Sequence, residues 1–210
     1  MARTNTPPGA YLSGKAGNLV YVQNGEEVIV RSLPKPRKPD SWSEKQQQQR
    51  KRFQAARTFY NGVREQVVNP IWKLAATKKL TAYNLFMKAN LGAFDKNGEL
   101  ADYSRLHFST GPLPLPQQLT AKLDADSPDR VTISWSPELQ TKAEAGDDEL
   151  LCVWAGPNYL VGPVATGSLR QDGQGLLSLP ELEAGEQRNL FLFIANSSRT
   201  SYSNDWHVAL

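Results

Sequence analysis

The chain has 210 residues, 40% of them hydrophobic and 21% charged, with five Trp, two His and one Cys; this is enough apolar content for a folded core, and it excludes whole-chain disorder and any intrachain disulfide or thiolate metal cluster. The net charge of +3 hides an asymmetry: Met1 to Pro116 carries 18 Lys and Arg against 8 Asp and Glu, a net of +10, whereas Gln117 to Leu210 carries 6 against 13, a net of −7. No apolar run approaches the roughly 20 residues of a membrane span, and residues 1–17 lack the apolar core of a cleaved signal peptide, so a protein made without one, with no membrane span and a cytoplasmic location, is expected.

The first predicted element is a β-hairpin. Leu19 to Gln23 and Glu26 to Arg31 flank Asn24-Gly25, a pair that tolerates the positive φ angles of a type I′ turn. Gly14 and Gly17 supply turn positions ahead of it. Leu33-Pro34-Lys35-Pro36-Arg37-Lys38-Pro39 reads as a stiff extended linker, because proline blocks helix and ladder alike. A long helix follows. Ser41 and Glu44 have capping-box spacing, and Phe53, Ala56, Tyr60, Val63 and Val67 recur at steps of three and four. Lys45, Arg50, Lys51, Arg52, Arg57 and Arg64 hold the polar face. Asn69-Pro70 ends or kinks this helix, a short one with Ile71, Trp72 and Ala75 comes next, and a third runs from Thr81 to a stop near Gly92. Asp95-Lys96-Asn97-Gly98 is a turn, Tyr103 to Ser109 is expected to return as a strand, and the proline-rich Gly111 to Pro116 closes the first half.

The second half reads as short strands at regular spacing: Gln118 to Leu123, Arg130 to Trp135, Glu149 to Trp154, Tyr159 to Val164, Gly175 to Leu179, Asn189 to Ala195 and Tyr202 to Val208. Seven strands in about 90 residues are the pattern of an immunoglobulin-like sandwich. The expected fold is therefore α+β followed by all-β: residues 1–116 form a basic domain with a β-hairpin, a three-helix unit and an extended N-terminal arm, and residues 117–210 form an acidic seven-stranded sandwich.

Leu182-Glu183-Ala184-Gly185-Glu186, then Leu190, Leu192, Ala195 and Asn196, and Ser201 to Ser203, resemble the later strands of fibronectin type III domains, and Trp135 stands where that family has its second-strand tryptophan. Arg188 stands near that family's corner tyrosine, which leaves an immunoglobulin-like variant equally open. Gly14-Lys15-Ala16-Gly17 and the hairpin ending at Arg31, then Gln47 to Phe53 with Trp72, Asn84, Phe86 and Asn90, resemble an uncharacterised family of Bacteroidota proteins, a domain of unknown function. The middle segment is also similar to helical modules of phage-related and mobile-element proteins. These resemblances imply a bacterial or prophage-encoded protein, with incorporation into a phage-like particle as the alternative to a cytoplasmic location. They carry over no catalytic residues.

No reaction chemistry is legible. Gly14-Lys15-Ala16-Gly17 lacks P-loop spacing, and Asp95-Lys96-Asn97-Gly98-Glu99 has its glycine at the fourth rather than the sixth position of a calcium loop. His107 and His207 have no ligand partner at helical or strand spacing, and Cys152 lies in the apolar run Leu151 to Trp154. No catalytic, cofactor or metal site, and no small-molecule substrate, is expected. The expected function is that of a non-enzymatic structural or interaction protein, a self-assembling subunit of a filament, ring or virion-type particle that joins its basic and acidic halves, with a second copy or a structural protein as partner. The basic contact residues are Lys35, Arg37, Lys38, Arg50, Lys51, Arg52 and Arg57; their acidic partners are Asp147, Asp148, Glu149, Glu181 and Glu183. The alternative is a sequence-independent nucleic-acid binder using the same basic segment.

Overall fold

The computed structural model describes residues 3–4, 12–24, 27–36, 41–124, 130–157, 159–178 and 188–210. The fold is mixed α+β, with its strands in three antiparallel sheets. The chain divides into two compact units, Met1–Gln46 and Gln47–Leu210.

In the first unit, β1 (Arg3–Thr4), β2 (Leu12–Ala16), β3 (Leu19–Asn24) and β4 (Glu27–Ser32) form one sheet in that order. Gly17 takes φ +57° in the two-residue connection between β2 and β3, a left-handed conformation that glycine adopts freely. The expected hairpin is β3–β4, but its register pairs Asn24 with Glu27, one step beyond the spacing implied by an Asn24-Gly25 turn. That register sets Val22 opposite Ile29 and Tyr21 opposite Val30, so apolar side chains meet across the ladder.

The second unit begins within the first turn of α1 (Glu44–Val63). The capping box at its start uses Ser43 and Gln46 rather than Ser41 and Glu44: Gln46 N donates to Ser43 Oγ at 3.4 Å, and Ser43 N donates to Gln46 Oε1 at 3.1 Å. The sequence offers this spacing twice, and the second occurrence adjoins the first helical residues. α1 does not stop at Asn69-Pro70. It widens into a π-helical stretch, Arg64–Trp72, that contains Pro70 and continues for one α-turn, Lys73–Ala75. A proline ring collides with the carbonyl four residues back in an α-helix, and the wider π turn makes room for it. The expected three-helix unit is therefore two helices: α1 with its π extension, and α2 (Ala82–Asn90), where Thr81 Oγ1 accepts from Asn84 N at 3.2 Å.

Seven strands follow: β5 (Thr120–Leu123), β6 (Arg130–Ser134), β7 (Glu149–Ala155), β8 (Leu160–Leu169), β9 (Gln174–Ser178), β10 (Asn189–Ala195) and β11 (Trp206–Ala209). They make a four-stranded sheet in the order β11-β10-β7-β8 and a three-stranded sheet in the order β5-β6-β9. β6 alternates, with Val131 and Ile133 buried and Arg130, Thr132 and Ser134 exposed. β7 and β10 do not alternate. Leu150, Cys152, Trp154, Leu190, Leu192 and Ile194 pack with Val131, Ile133 and Leu177 of the three-stranded sheet, while Leu151, Val153, Ala155, Phe191, Phe193 and Ala195 pack with the helices. Both faces of these strands are covered, as in a sheet lying between two layers. Residues on either side of Pro116 thus share one core, and the change in charge at that point falls inside a single packed unit.

Tyr103 to Ser109 does not form the expected strand. It contains a 3₁₀ turn, Tyr103–Arg105, and an extended stretch whose backbone is bonded by side chains. Asn90 Oδ1 accepts from His107 N at 2.7 Å, Asn90 Nδ2 donates to His107 O at 3.0 Å, Asp205 Oδ2 accepts from Phe108 N at 2.8 Å, and Trp72 Nε1 donates to Phe108 O at 3.0 Å. Buried backbone groups must be paired, and here α2, the π stretch and the β10–β11 connection supply the partners that a neighbouring strand would have provided. Among the described residues, no helix is long and apolar enough to cross a membrane.

Candidate interaction surfaces

The expected basic residues separate by role. Lys35 is exposed in the extended segment after β4, and Arg37 and Lys38 lie outside the described residues. Arg50, Lys51 and Arg57 are exposed on α1. Arg52 is half-buried and donates from Nε to Leu91 O at 2.9 Å, so it ties α1 to the turn that ends α2. The backbone of Lys51 also meets the Asn97-Gly98 turn: a Cβ at Gly98 would sit 3.1 Å from Lys51 O, and Gly98 has φ +89°. Asp95 builds that turn by accepting from Asn97 N and Glu99 N, both at 2.8 Å.

The acidic residues are dispersed in the same way. Asp147 is exposed, and Glu181 and Glu183 lie outside the described residues. Asp148 is buried: its Oδ2 accepts from Arg170 Nε and from Ala145 N, each at 3.0 Å. Arg170, itself fully buried, also donates to Glu144 Oε1 at 3.4 Å and to Pro114 O at 2.8 Å, and its own carbonyl accepts from Trp135 Nε1 at 2.7 Å. Glu144 Oε2 in turn accepts from Thr141 N at 2.7 Å and from Gln140 N. Glu149 pairs with Arg199 at 2.6 Å. Asp148 is therefore an internal bolt and not the surface contact expected of it. Charges removed from water hold only when paired, and of the acidic run Asp147-Asp148-Glu149 one carboxylate is buried on Arg170 and a second is held by Arg199 at the surface.

The structure also gathers residues that are far apart in sequence. His107 Nδ1 lies 3.0 Å from Asp205 Oδ1, across 98 positions, at the rim of a cleft of about 420 Å³ lined by Trp72, Leu85, Lys88, Ala89, Thr110 and Asn204. The bond to Asp205 raises the His107 pKa above 6.5 against the opposing effect of burial, whereas burial lowers that of His207. The Ser109 hydroxyl beside this cleft donates to Ser203 O at 2.6 Å and is committed to the fold. Cys152 is buried in the core, which pushes its thiol up to about 12 and keeps it protonated. Among the described residues no group of three His, Cys, Asp or Glu side chains converges on a common point. No spacing rule could have joined His107 to Asp205, because it is the β10–β11 connection that brings them together.

The first unit leaves apolar side chains open on both faces of its sheet. Leu19 and Val22 of β3, Ile29 and Val30 of β4, and Leu33 just beyond are all exposed. Among the described residues of this unit, none contributes to the buried core. The signal was present in the sequence, since Val28-Ile29-Val30 is an apolar run on a hairpin with no second apolar segment nearby to cover it. Comparison with protein-family models gives no match, and comparison with curated proteins gives no significant one.

Proposed function

We propose that this protein is a non-enzymatic structural subunit that assembles with other protein surfaces, in the first place with copies of itself. One observation carries the reading: the sheet of the first unit exposes large apolar side chains on its two longest strands and has no buried residue among those described. A sheet with an uncovered apolar surface is an incomplete layer, and contact with a partner removes that surface from water at about 25 cal/mol per Å². The opposed net charges of the two halves of the sequence then act on encounter and selectivity more than on affinity, because only part of each charged set stands at the surface. The second unit supports the same role. Its strand order, β11-β10-β7-β8 over β5-β6-β9, together with Trp135 between the sheets, favours an immunoglobulin-like sandwich of fibronectin type III connectivity, a scaffold suited to protein contacts.

Light scattering on nuclease-treated protein, across concentration and at low and high salt, tests this. The expected result is a mass above the 23.3 kDa monomer that rises with concentration and persists in high salt, because apolar contact is not screened. A mass of one chain under every condition overturns the assembly reading. Association that appears only with added nucleic acid moves the function to the exposed cations of α1.

A further inference from the structure

We propose that β4 is a self-complementary edge that pairs antiparallel with β4 of a second copy, about a two-fold axis through Ile29. This rests on the assembly reading and specifies its contact. β4 is the last strand of its sheet, and no strand pairs with its outer side among the described residues. The direction of its backbone groups follows from the register. Leu33 N donates to Asn18 O at 2.6 Å, and the β3–β4 pairs continue without a shift through Val20↔Arg31, Val22↔Ile29 and Asn24↔Glu27. In an antiparallel ladder the hydrogen-bonded pairs alternate, so Glu27, Ile29, Arg31 and Leu33 turn their N–H and C=O groups toward β3. The corresponding groups of Val28, Val30 and Ser32 therefore point outward, to the free edge.

That parity limits how two copies of the edge can pair. With the axis at Ile29, Val28 of each copy exchanges both backbone hydrogen bonds with Val30 of the other. Ile29 meets Ile29, and Glu27 of each copy stands opposite Arg31 of the other in non-hydrogen-bonded positions, where facing residues are closest. Apolar residues thus meet apolar ones, and opposite charges meet twice. Moving the axis by one residue sets Ile29 against a charged residue. Moving it by two sets Arg31 against Arg31 or Glu27 against Glu27. Natural edge strands are commonly protected by lysine, proline or a bulge. Glu27–Ser32 has none of these, and Ile29 and Val30 are 46% and 51% exposed. Pro34, two residues beyond, limits the pairing to this short segment. The contact is isologous and closes at a dimer, which leaves the rest of the surface for further growth.

The test is sedimentation equilibrium on the full chain, comparing the unaltered protein with Val30→Pro, with Arg31→Glu, and with the double exchange Glu27→Arg plus Arg31→Glu. Proline at position 30 removes an outward N–H and leaves the β3–β4 bonds intact, so it is expected to weaken association by at least about tenfold. Arg31→Glu alone is expected to weaken it by about tenfold through two like-charge pairs, and the double exchange to restore it, which a general loss of folding would not do. Association of the unaltered chain that none of the variants changes overturns the β4 contact and leaves the assembly reading standing. So does a double exchange as weak as the single reversal. An unaltered chain that is monomeric at every concentration overturns both.

Discussion

β3 and β4 of the first unit and β7 and β10 of the second all carry aliphatic side chains, yet Ile29 is 46% exposed and Ile194 is fully buried. The difference lies in what is available to cover each strand. β7 and β10 are the inner strands of a sheet with helices on one face and a second sheet on the other, so every position is taken up by a neighbour. β3 and β4 belong to a four-stranded sheet whose apolar side chains are left open. Strand hydrophobicity therefore predicts a demand for burial. Where the fold meets that demand the residue stabilises the monomer, and where it does not the residue is free to stabilise an assembly.

Three measurements test this contrast. The largest effect is expected at Arg170, whose guanidinium is the counter-charge of Asp148 and Glu144 inside the second unit. Arg170→Ala leaves two buried carboxylates without their counter-charge, and chemical denaturation should show a loss of about 3–5 kcal/mol; a loss below about 1 kcal/mol would mean that water reaches this network. Next comes a matched pair. Ile194→Ala should cost about 3 kcal/mol through lost transfer energy and a cavity, whereas Ile29→Ala, measured at a concentration where the chain is monomeric, should change stability by about 0.5 kcal/mol or less. Equal losses would show that the first unit has a core of its own.

The smallest effect is that of pH on the two histidines. The raised pKa of His107 means that its bond to Asp205 stabilises the fold fully below about 6.5 and that this stabilisation is lost as pH rises through the folded value. His207 acts in the opposite sense. Its lowered pKa makes protonation unfavourable in the fold, so stability falls as pH drops from 6.5 through its folded value, and the two contributions act on opposite sides of 6.5. NMR titration should place His107 above 6.5 and His207 below it, and Asp205→Asn should remove the upward shift of His107. A His107 value that does not respond to that change would show that the carboxylate is not its partner in solution.

Local chemistry was legible wherever it acts over a few residues. The strands at Arg130, Glu149 and Asn189, the Asp95 to Gly98 turn and the start of α2 at Thr81 follow from apolar runs, turn residues or caps, whereas the last expected strand, Tyr202 to Val208, is Trp206–Ala209, and the one expected from Tyr159 to Val164 runs on to Leu169. Three features did not. Pro70 marks a break in an α-helix, but a π turn absorbs it, and that depends on the packing of Val67, Val68, Ile71 and Trp72 around it. The segment around His107 has the alternating burial of a strand, yet side chains from three separate places satisfy its backbone. Asp148 stands among neighbouring acids like a surface residue, and only the return of Arg170 beside it makes it internal. The uninterrupted apolar runs of β7 and β10 were a missed clue, since a strand with one wet face alternates and a strand covered on both faces does not.

Local conformations and the demand for burial are written along the chain: period-two and helical patterns, turn residues and the amount of apolar surface follow from steric and solvation rules that act between near neighbours. Which apolar strands are covered, which charges are neutralised within the fold and which edge is left unpaired were decided by tertiary structure alone. Those outcomes depend on contacts between residues tens of positions apart, such as His107 with Asp205 or Arg170 with Glu144, and a contact energy of that kind exists only once the intervening chain has folded to bring the partners together.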